Sequence, residues 1–363
     1  MKVLLINLIL HTSVKGVIPR FPSNGDCMIY NMARGFRANG HDVTIVASEE
    51  FKPSEEENPG FEVIYFPSRF PKIFRPDLLP LPKGFRSWLK QNASRYDVMI
   101  TSETFSFGTL FAACTSPRKV LIWQEMALMQ HAFKKIPATI WYRGVVPLFM
   151  KNLRVVARSR DARDFIRQYM TNVADEYVDH GINGDIFSPC EERKDSAFVI
   201  IARLVARKRI DRIIRNFADL VSQPDYVDYR LDIVGDGPER EALIALVNEL
   251  GIRDNVIFHG DLPHIKFAPI GRKALAMLID TAKDLNMVSI PESIANGTPI
   301  LMNTVPTTAA YVNSEGLGIA KEDWTVDDLK TIIRDNDRFV ANCIRVRPTL
   351  LNTGCAARLL ELR

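Results

Sequence analysis

Two doubly wound α/β domains facing across a cleft are the fold that the sequence predicts, and three observations predict it. The chain has 363 residues, enough for two buried cores at ~150 residues per domain. Apolar runs alternate with amphipathic stripes of helical period from the first residue onward. That alternation restarts near residue 196, after the polar stretch SPCEERKDS.

Lys2–Leu10 is a continuous apolar run broken only by Asn7, as expected of a strand covered on both faces. A loop with Pro19, Pro22, Asn24 and Gly25 follows, then a helix from about Asp26, because Ile29, Met32, Ala33 and Phe36 fall on one face. Gly40 ends it. DVTIVAS, FEVIYF, DVMITS and KVLIWQ supply further strands of a mostly parallel sheet. In the second half AFVIIARL reads as a strand, and Ile210, Ile213, Ile214, Phe217 and Val221 trace a helix. YRLDIVGDG reads as strand plus turn, followed by a helix from Glu239 to Leu250 closed by Gly251. NVIFHG, ALAMLID and TPILMN complete the strands. Between Phe339 and Leu362 the spacing suggests helix, interrupted by Pro348 and Gly354. The expected domains are residues 1–188, residues 189–340, and a helical tail, 341–363, packing back on the first domain.

Composition excludes several classes. Hydrophobic residues make up 47% and charged residues 25%, as in a soluble globular chain and unlike a disordered or disulfide-stapled one. Forty-seven Lys and Arg against 43 Asp and Glu leave +4, too mild for a dedicated nucleic-acid binder. The five cysteines, Cys27, Cys114, Cys190, Cys343 and Cys355, are scattered without a C-x-x-C pair, which favours a reducing compartment and argues against structural zinc. MKVLLINLIL lacks a small-residue cleavage site and reads as a first strand rather than a signal peptide. No stretch reaches the ~20 apolar residues of a membrane span; ATIWYRGVVPLFM is broken by Arg143 and Pro147.

Four features fall at or near predicted strand ends of the second half, where ligands of such sheets sit. In ARLVARKRIDRII, Arg203 and Lys208 flank a turn ahead of a helix, a pair of cations suited to a diphosphate. The same stretch reads equally as a solvated basic turn. In VGDGPER, Gly235 and Gly237 make a tight turn that brings backbone close to a ligand; Arg240 at the third glycine position argues against a nicotinamide dinucleotide. In DLNMVSIPESIANGTPIL, Asp284 and Glu292 stand eight residues apart across a loop, carboxylates suited to sugar and ribose hydroxyls. Glu292 alone also reads as a helix-start acid. VDHGINGDIFSP is a polar turn between the halves.

In chain order, with VDHGINGDIFSP first and then the Arg203–Lys208 stretch, VGDGPER and the Asp284–Glu292 stretch, the four features resemble the second domain of the GT-B glycosyltransferases, and more closely their family 4, over most of residues 178–312. The first half is similar more loosely, through the opening strand, SNGDCMIYNMARGF and ANGHDVTIVAS. The resemblance implies two doubly wound Rossmann-like domains facing across a cleft (GT-B). It implies retaining, metal-independent transfer from a nucleotide-diphosphate sugar, a co-substrate with no further cofactor. Arg203 and Lys208 would neutralise the leaving diphosphate, Asp284 would orient the donor sugar, and Glu292 would hold the ribose. Leu285, Asn286, Met287 and Val288 would offer backbone N–H groups, with Gly235 and Gly25 lining the donor site. Asn24, Gln124 and Glu125 stand on the acceptor side.

The sequence departs from the family pattern at several of these points. Asp284 is one methylene shorter than the usual Glu, and Leu285 and Met287 stand where glycines are usual. Ala202 replaces a glycine, Asn24-Gly25 replaces paired glycines, and WQEM puts Gln124 or Glu125 where relatives often carry a histidine. These changes keep two other functions open, a nucleotide-sugar-binding protein without transferase activity and a nucleotide-sugar epimerase.

Other signals are poorer. Asp335-Asn336-Asp337 is the one D-x-D, inside an expected helix or turn, and the six histidines show no metal-ligand spacing. No G-x-S-x-G elbow appears. Residues 66–90 carry Arg69, Lys72, Arg75, Lys83, Arg86 and Lys90 against Asp77, interleaved with aromatics. That is the composition of a contact with an anionic membrane surface, and equally of a Pro-rich surface loop. The expected partners are a nucleotide sugar and a glycan or lipid-linked acceptor in polysaccharide biosynthesis. The expected location is cytoplasmic, peripheral on the inner face of the cell membrane.

Overall fold

A computed structural model of the chain describes residues 1–13, 16–129, 136–192, 194–283 and 287–363. It divides into two compact units, residues 1–181 with 352–363, and residues 182–351. The sequence reading drew its boundaries at 188 and 341. The structure draws them elsewhere because Ile182 and Phe187 are buried in the second unit's core, whereas Cys355, Ala356 and Leu359 are buried in the first's.

The first unit is a seven-stranded parallel sheet of order β3-β2-β1-β4-β5-β6-β7. Its strands are β1 (Lys2–Ile6), β2 (Asp42–Ser48), β3 (Glu62–Phe66), β4 (Val98–Ser102), β5 (Val120–Gln124), β6 (Arg154–Ala157) and β7 (Val173–Tyr177). Alternate residues of these apolar runs supply two cores, one on each face. Leu4, Ile6, Met99 and Ile122 face one way, and Val3, Leu5, Val98, Ile100 and Leu121 the other. The opening run therefore makes a strand only as far as Ile6; beyond Asn7 the chain leaves the sheet as a loop with Leu8 and Leu10 still buried. Strands β6 and β7 escaped the sequence reading because RVVA is four residues long and the end of VADEY is exposed.

The helix Met28–Ala38 buries the expected stripe. Against it lies the C-terminal helix Asn352–Glu361: Asn352 Nδ2 donates to the Asn31 carbonyl at 3.0 Å, and a Cβ at Gly35 would collide with the Asn352 carbonyl. Arg154 Nε donates to the Leu362 carbonyl at 2.6 Å, closing the same packing.

The second unit is a six-stranded parallel sheet of order β10-β9-β8-β11-β12-β13. Its strands are β8 (Ala197–Ile201), β9 (Arg230–Val234), β10 (Val256–Gly260), β11 (Ala276–Ile279), β12 (Ile300–Met302) and β13 (Gly318–Ala320). The helix Ile210–Val221 buries all five predicted stripe residues. Strand β13, three residues long, gave no run to read. Asp335 precedes the helix Asn336–Leu350 and pairs with Arg334 at 2.9 Å and Arg338 at 3.0 Å, while Asn336 is buried, so the D-x-D is a helix start. In both sheets the strand order reverses beside the first strand of the unit, between β1 and β4 and between β8 and β11. That is where open parallel sheets leave a crevice at their carboxyl ends.

Candidate functional site

The second unit's crevice is built from three loops that hold one another by backbone hydrogen bonds. After β8 the chain runs through Ala202–Val205 into a short turn, Ala206–Lys208, and enters the helix at Arg209, whose φ is 41°. After β9 it makes the turn Gly235–Gly237. The two loops interlock: Ala202 N–H donates to Val234 O at 3.1 Å, Leu204 N–H to Asp236 O at 2.9 Å, and Glu239 N–H to Leu204 O at 3.1 Å. Gly235 has φ 127°, and a Cβ there would fall on the Ala202 carbonyl oxygen; one at Gly237 would fall on that of Leu204. Both glycines thus serve close approach of the two loops. A cavity of about 360 Å³ opens here, lined by Arg203, Gly235, Asp236, Asp261 and Phe267. Arg203 is exposed, with no ion pair among the described residues.

The third loop follows β11. Thr281 Oγ1 and Ala282 N–H donate to the Arg207 carbonyl at 3.1 Å and 2.8 Å, so the turn carrying half-buried Lys208 is tied to the strand that leads into the 284–286 segment. Asp284, Leu285 and Asn286 themselves lie outside the described residues. Asp280, 5% exposed, anchors the base of this arrangement. Its carboxylate faces Arg209 at 3.5 Å and Arg212 at 3.4 Å. Burial raises its pKa, and Arg212 and Arg209 oppose that rise. Sequence reasoning passed over Asp280, although an acid ending an apolar strand is a signal in itself.

Glu292 lies in the helix Ser289–Ala295 and its side chain is 8% exposed. It pairs with His264, Nε2 to Oε1 at 3.1 Å. The His264 ring packs edge-on against Phe187 at 5.7 Å and lies tilted against Phe267 at 5.2 Å. Phe267 also lines the Arg203 cavity, so a chain of contacts runs from that cavity through Phe267 and His264 to Glu292. Weighing the histidines only for metal-ligand spacing passes over this one. No spacing rule links residues 264 and 292; the sheet brings them together. Met287 is buried in the core and Val288 is half-exposed.

The first-unit candidates are arranged differently. Asn24 is 1% exposed; its amide donates to Phe51 O at 2.9 Å and Tyr65 at 3.2 Å, and its oxygen meets His11 at 2.7 Å. Gly25 is held by Ser23 and, through its carbonyl, by Arg34. Gln124 is fully buried and bridges Thr104 to Glu103. Glu125 pairs with Arg158 at 2.7 Å, whose guanidinium lies 3.7 Å over the Trp123 ring. Of the four, Glu125 reaches a cavity, one of about 210 Å³ lined also by Asn7, His11, Glu103 and Arg158 at the β1–β4 reversal. Glu103, with φ 67°, accepts from Gln124 Nε2 at 2.7 Å and from the Glu125 N–H at 2.8 Å. Burial pushes its pKa up to about 7, against the pull of Arg158. The acid in ITSET was the available signal for it.

Comparison with known proteins fits this architecture. A family model described as glycosyl transferases group 1 matches residues 176–336, and one described as glycosyltransferase family 4 matches residues 28–183. An exopolysaccharide phosphotransferase of Streptomyces coelicolor is 29% identical over 130 residues, 36% of this chain and 14% of that protein. N-acetyl-alpha-D-glucosaminyl L-malate synthase of Bacillus anthracis is 26% identical over 151 residues, 42% of this chain and 35% of that protein. The chain thus covers well under half the length of these curated relatives. The crystal structure of Anabaena Alr3699/HepE in complex with UDP superposes with a TM-score of 0.65 over 99% of both chains, at 14% identity, a likeness of fold. The two family models match different halves and together run from residue 28 to residue 336 over two parallel-sheet units: the chain resembles the GT-B glycosyltransferases, its first unit similar to glycosyltransferase family 4 and its second to glycosyl transferases group 1.

Proposed function

We propose that this chain moves a sugar from a nucleotide-diphosphate sugar to a hydroxyl acceptor, a growing glycan or a lipid-linked saccharide, with retention of configuration and without a bound metal. The observation that supports the reading is the chain of contacts from the Arg203 cavity through Phe267 and His264 to Glu292, with the turn that carries Lys208 tied through the Arg207 carbonyl to Thr281. Arg203 and Lys208 receive the diphosphate. As the sugar–phosphate bond breaks, negative charge grows on the departing oxygen, and preplaced cations lower that barrier by ~3 kcal/mol or more. Glu292 accepts hydrogen bonds from the ribose hydroxyls, oriented by His264. Asp284 orients the sugar. The acceptor, taken by the first unit, attacks from the face the diphosphate leaves, and its proton passes to the departing phosphate.

The test is a thermal-shift screen of nucleotide sugars, because a ligand that binds only the folded state raises its melting point. Hits are then followed by NMR with and without acceptor saccharides. Transfer with retained anomeric configuration supports the reading. Binding with no turnover, or change of the sugar with no acceptor present, contradicts it.

A further inference from the structure

The first unit carries a surface that donor chemistry does not use. Arg75 is neutralised by Asp77 at 2.6 Å. Arg69, Lys83, Arg86 and Lys90 have no carboxylate partner among the described residues, and they line one cavity of about 500 Å³ together with Phe111. The strap that carries them is fixed. Arg69 N–H donates to Leu81 O and Lys83 N–H to Pro67 O, each at 2.8 Å, across an antiparallel bridge between Ser68 and Pro82. Four like charges held in a concave surface without a counter-charge favour an anion.

Beside the cavity is an apolar stripe. The helical stretch 136–149 buries Ala138, Trp141, Tyr142 and Val146 in the core. Its outer side leaves Ile136 58%, Ile140 63%, Leu148 77% and Phe149 51% exposed. Ile136 and Ile140 stand one α-helical turn apart, and the wider π-helical turn Trp141–Val145 separates Ile140 from Leu148. Residues 136–151 contain no acid, and Arg143 and Lys151 are exposed on the same stretch. Both features rest on the helix Phe107–Thr115: Phe107 packs on Phe74 at 5.1 Å and on Trp141 at 5.2 Å, and Phe111, one turn later, lines the basic cavity. Scattered apolar residues on a surface need no explanation, but a stripe of them with a basic border is the composition of an interfacial helix.

We propose that this face of the first unit docks on an anionic lipid bilayer, with phosphate headgroups entering the basic cavity and Ile140, Leu148 and Phe149 entering the acyl boundary. Among the described residues no helix is long and apolar enough to cross a membrane, so the contact is interfacial.

Cosedimentation of the full chain with vesicles tests this, using phosphatidylglycerol mixed into phosphatidylcholine against phosphatidylcholine alone. The expected result is binding to the mixed vesicles only. R69Q/R86Q/K90Q weakens it on the order of a hundredfold, and L148S/F149S weakens it by tenfold or more. All substitutions are at exposed positions, and both variants keep the wild-type melting temperature and nucleotide affinity, which separates this claim from the donor-site reading. Absence of binding to anionic vesicles, or equal binding by wild type and either variant, overturns the proposal. So does blocking by inorganic phosphate with no effect of L148S/F149S, which would leave a phosphate pocket without a bilayer.

Discussion

Replacing Glu292 with Gln removes a charge while keeping shape, at a side chain that is 8% exposed. A hydrogen bond to a charged acceptor contributes ~1.5–3 kcal/mol and one to a neutral acceptor ~0.5–1.5 kcal/mol. Two ribose hydroxyls therefore lose roughly 2 kcal/mol together, about a 30-fold rise in the dissociation constant of the nucleoside diphosphate. His264 sets the geometry through its 3.1 Å contact. His264→Ala is expected to weaken nucleotide binding by about tenfold, since the freed carboxylate must be ordered again on binding. Because both act through one carboxylate, the double variant bind no worse than E292Q by more than a factor of two or three, a coupling a thermodynamic cycle measures directly. Isothermal calorimetry reads all four proteins. An unchanged affinity in E292Q, or fully additive losses in the double variant, would refute the ribose assignment and the His264 role respectively.

Two further predictions concern the scaffold. Gly235→Ala puts a Cβ on the Ala202 carbonyl at φ 127° and should lower stability by roughly 2–4 kcal/mol in urea unfolding. Gly251→Ala, at φ 69° with open space around it, should cost only about 1–2 kcal/mol, and equal losses would remove the interlocking-loop argument. Glu103 titrates near pH 7 in the fold instead of near 4.5. Between those values the folded chain holds a proton that the unfolded chain has released, so stability declines as pH rises through that window, by at most about 3 kcal/mol. Glu103→Gln should flatten that slope; identical slopes for variant and wild type would show that the carboxyl is not the cause.

The strands legible in the sequence were those whose apolar runs cover both faces of a sheet, such as DVTIVAS and AFVIIARL. The edge strand VADEY and the three-residue GIA carry too little pattern to be read. The candidate donor-side residues were proposed from a motif order, and the structure adds contacts among the described loops that carry Arg203, Lys208 and Glu292. It also gives Gly235 and Gly237 a packing reason that a ligand-based reading overlooks. Asp280, His264 and Glu103 were missed for one common reason. Each depends on a partner far away in the chain, Arg209 and Arg212, Glu292, and Gln124 respectively, and only sheet topology brings such pairs together. Among first-unit candidates, Asn24 and Gln124 were placed on the acceptor side by resemblance, and the structure has their amides engaged inside the unit.

The central claim is that Arg203 and Lys208 grip a diphosphate, and it can be measured without knowing sugar or acceptor. Calorimetric affinities of nucleoside, nucleoside monophosphate and nucleoside diphosphate are compared in wild type and in R203A/K208A. The account predicts a steep gain in affinity with the second phosphate in wild type, about a hundredfold for two charge-assisted contacts, and its loss in the variant with nucleoside binding kept. The same gain in both proteins would contradict it.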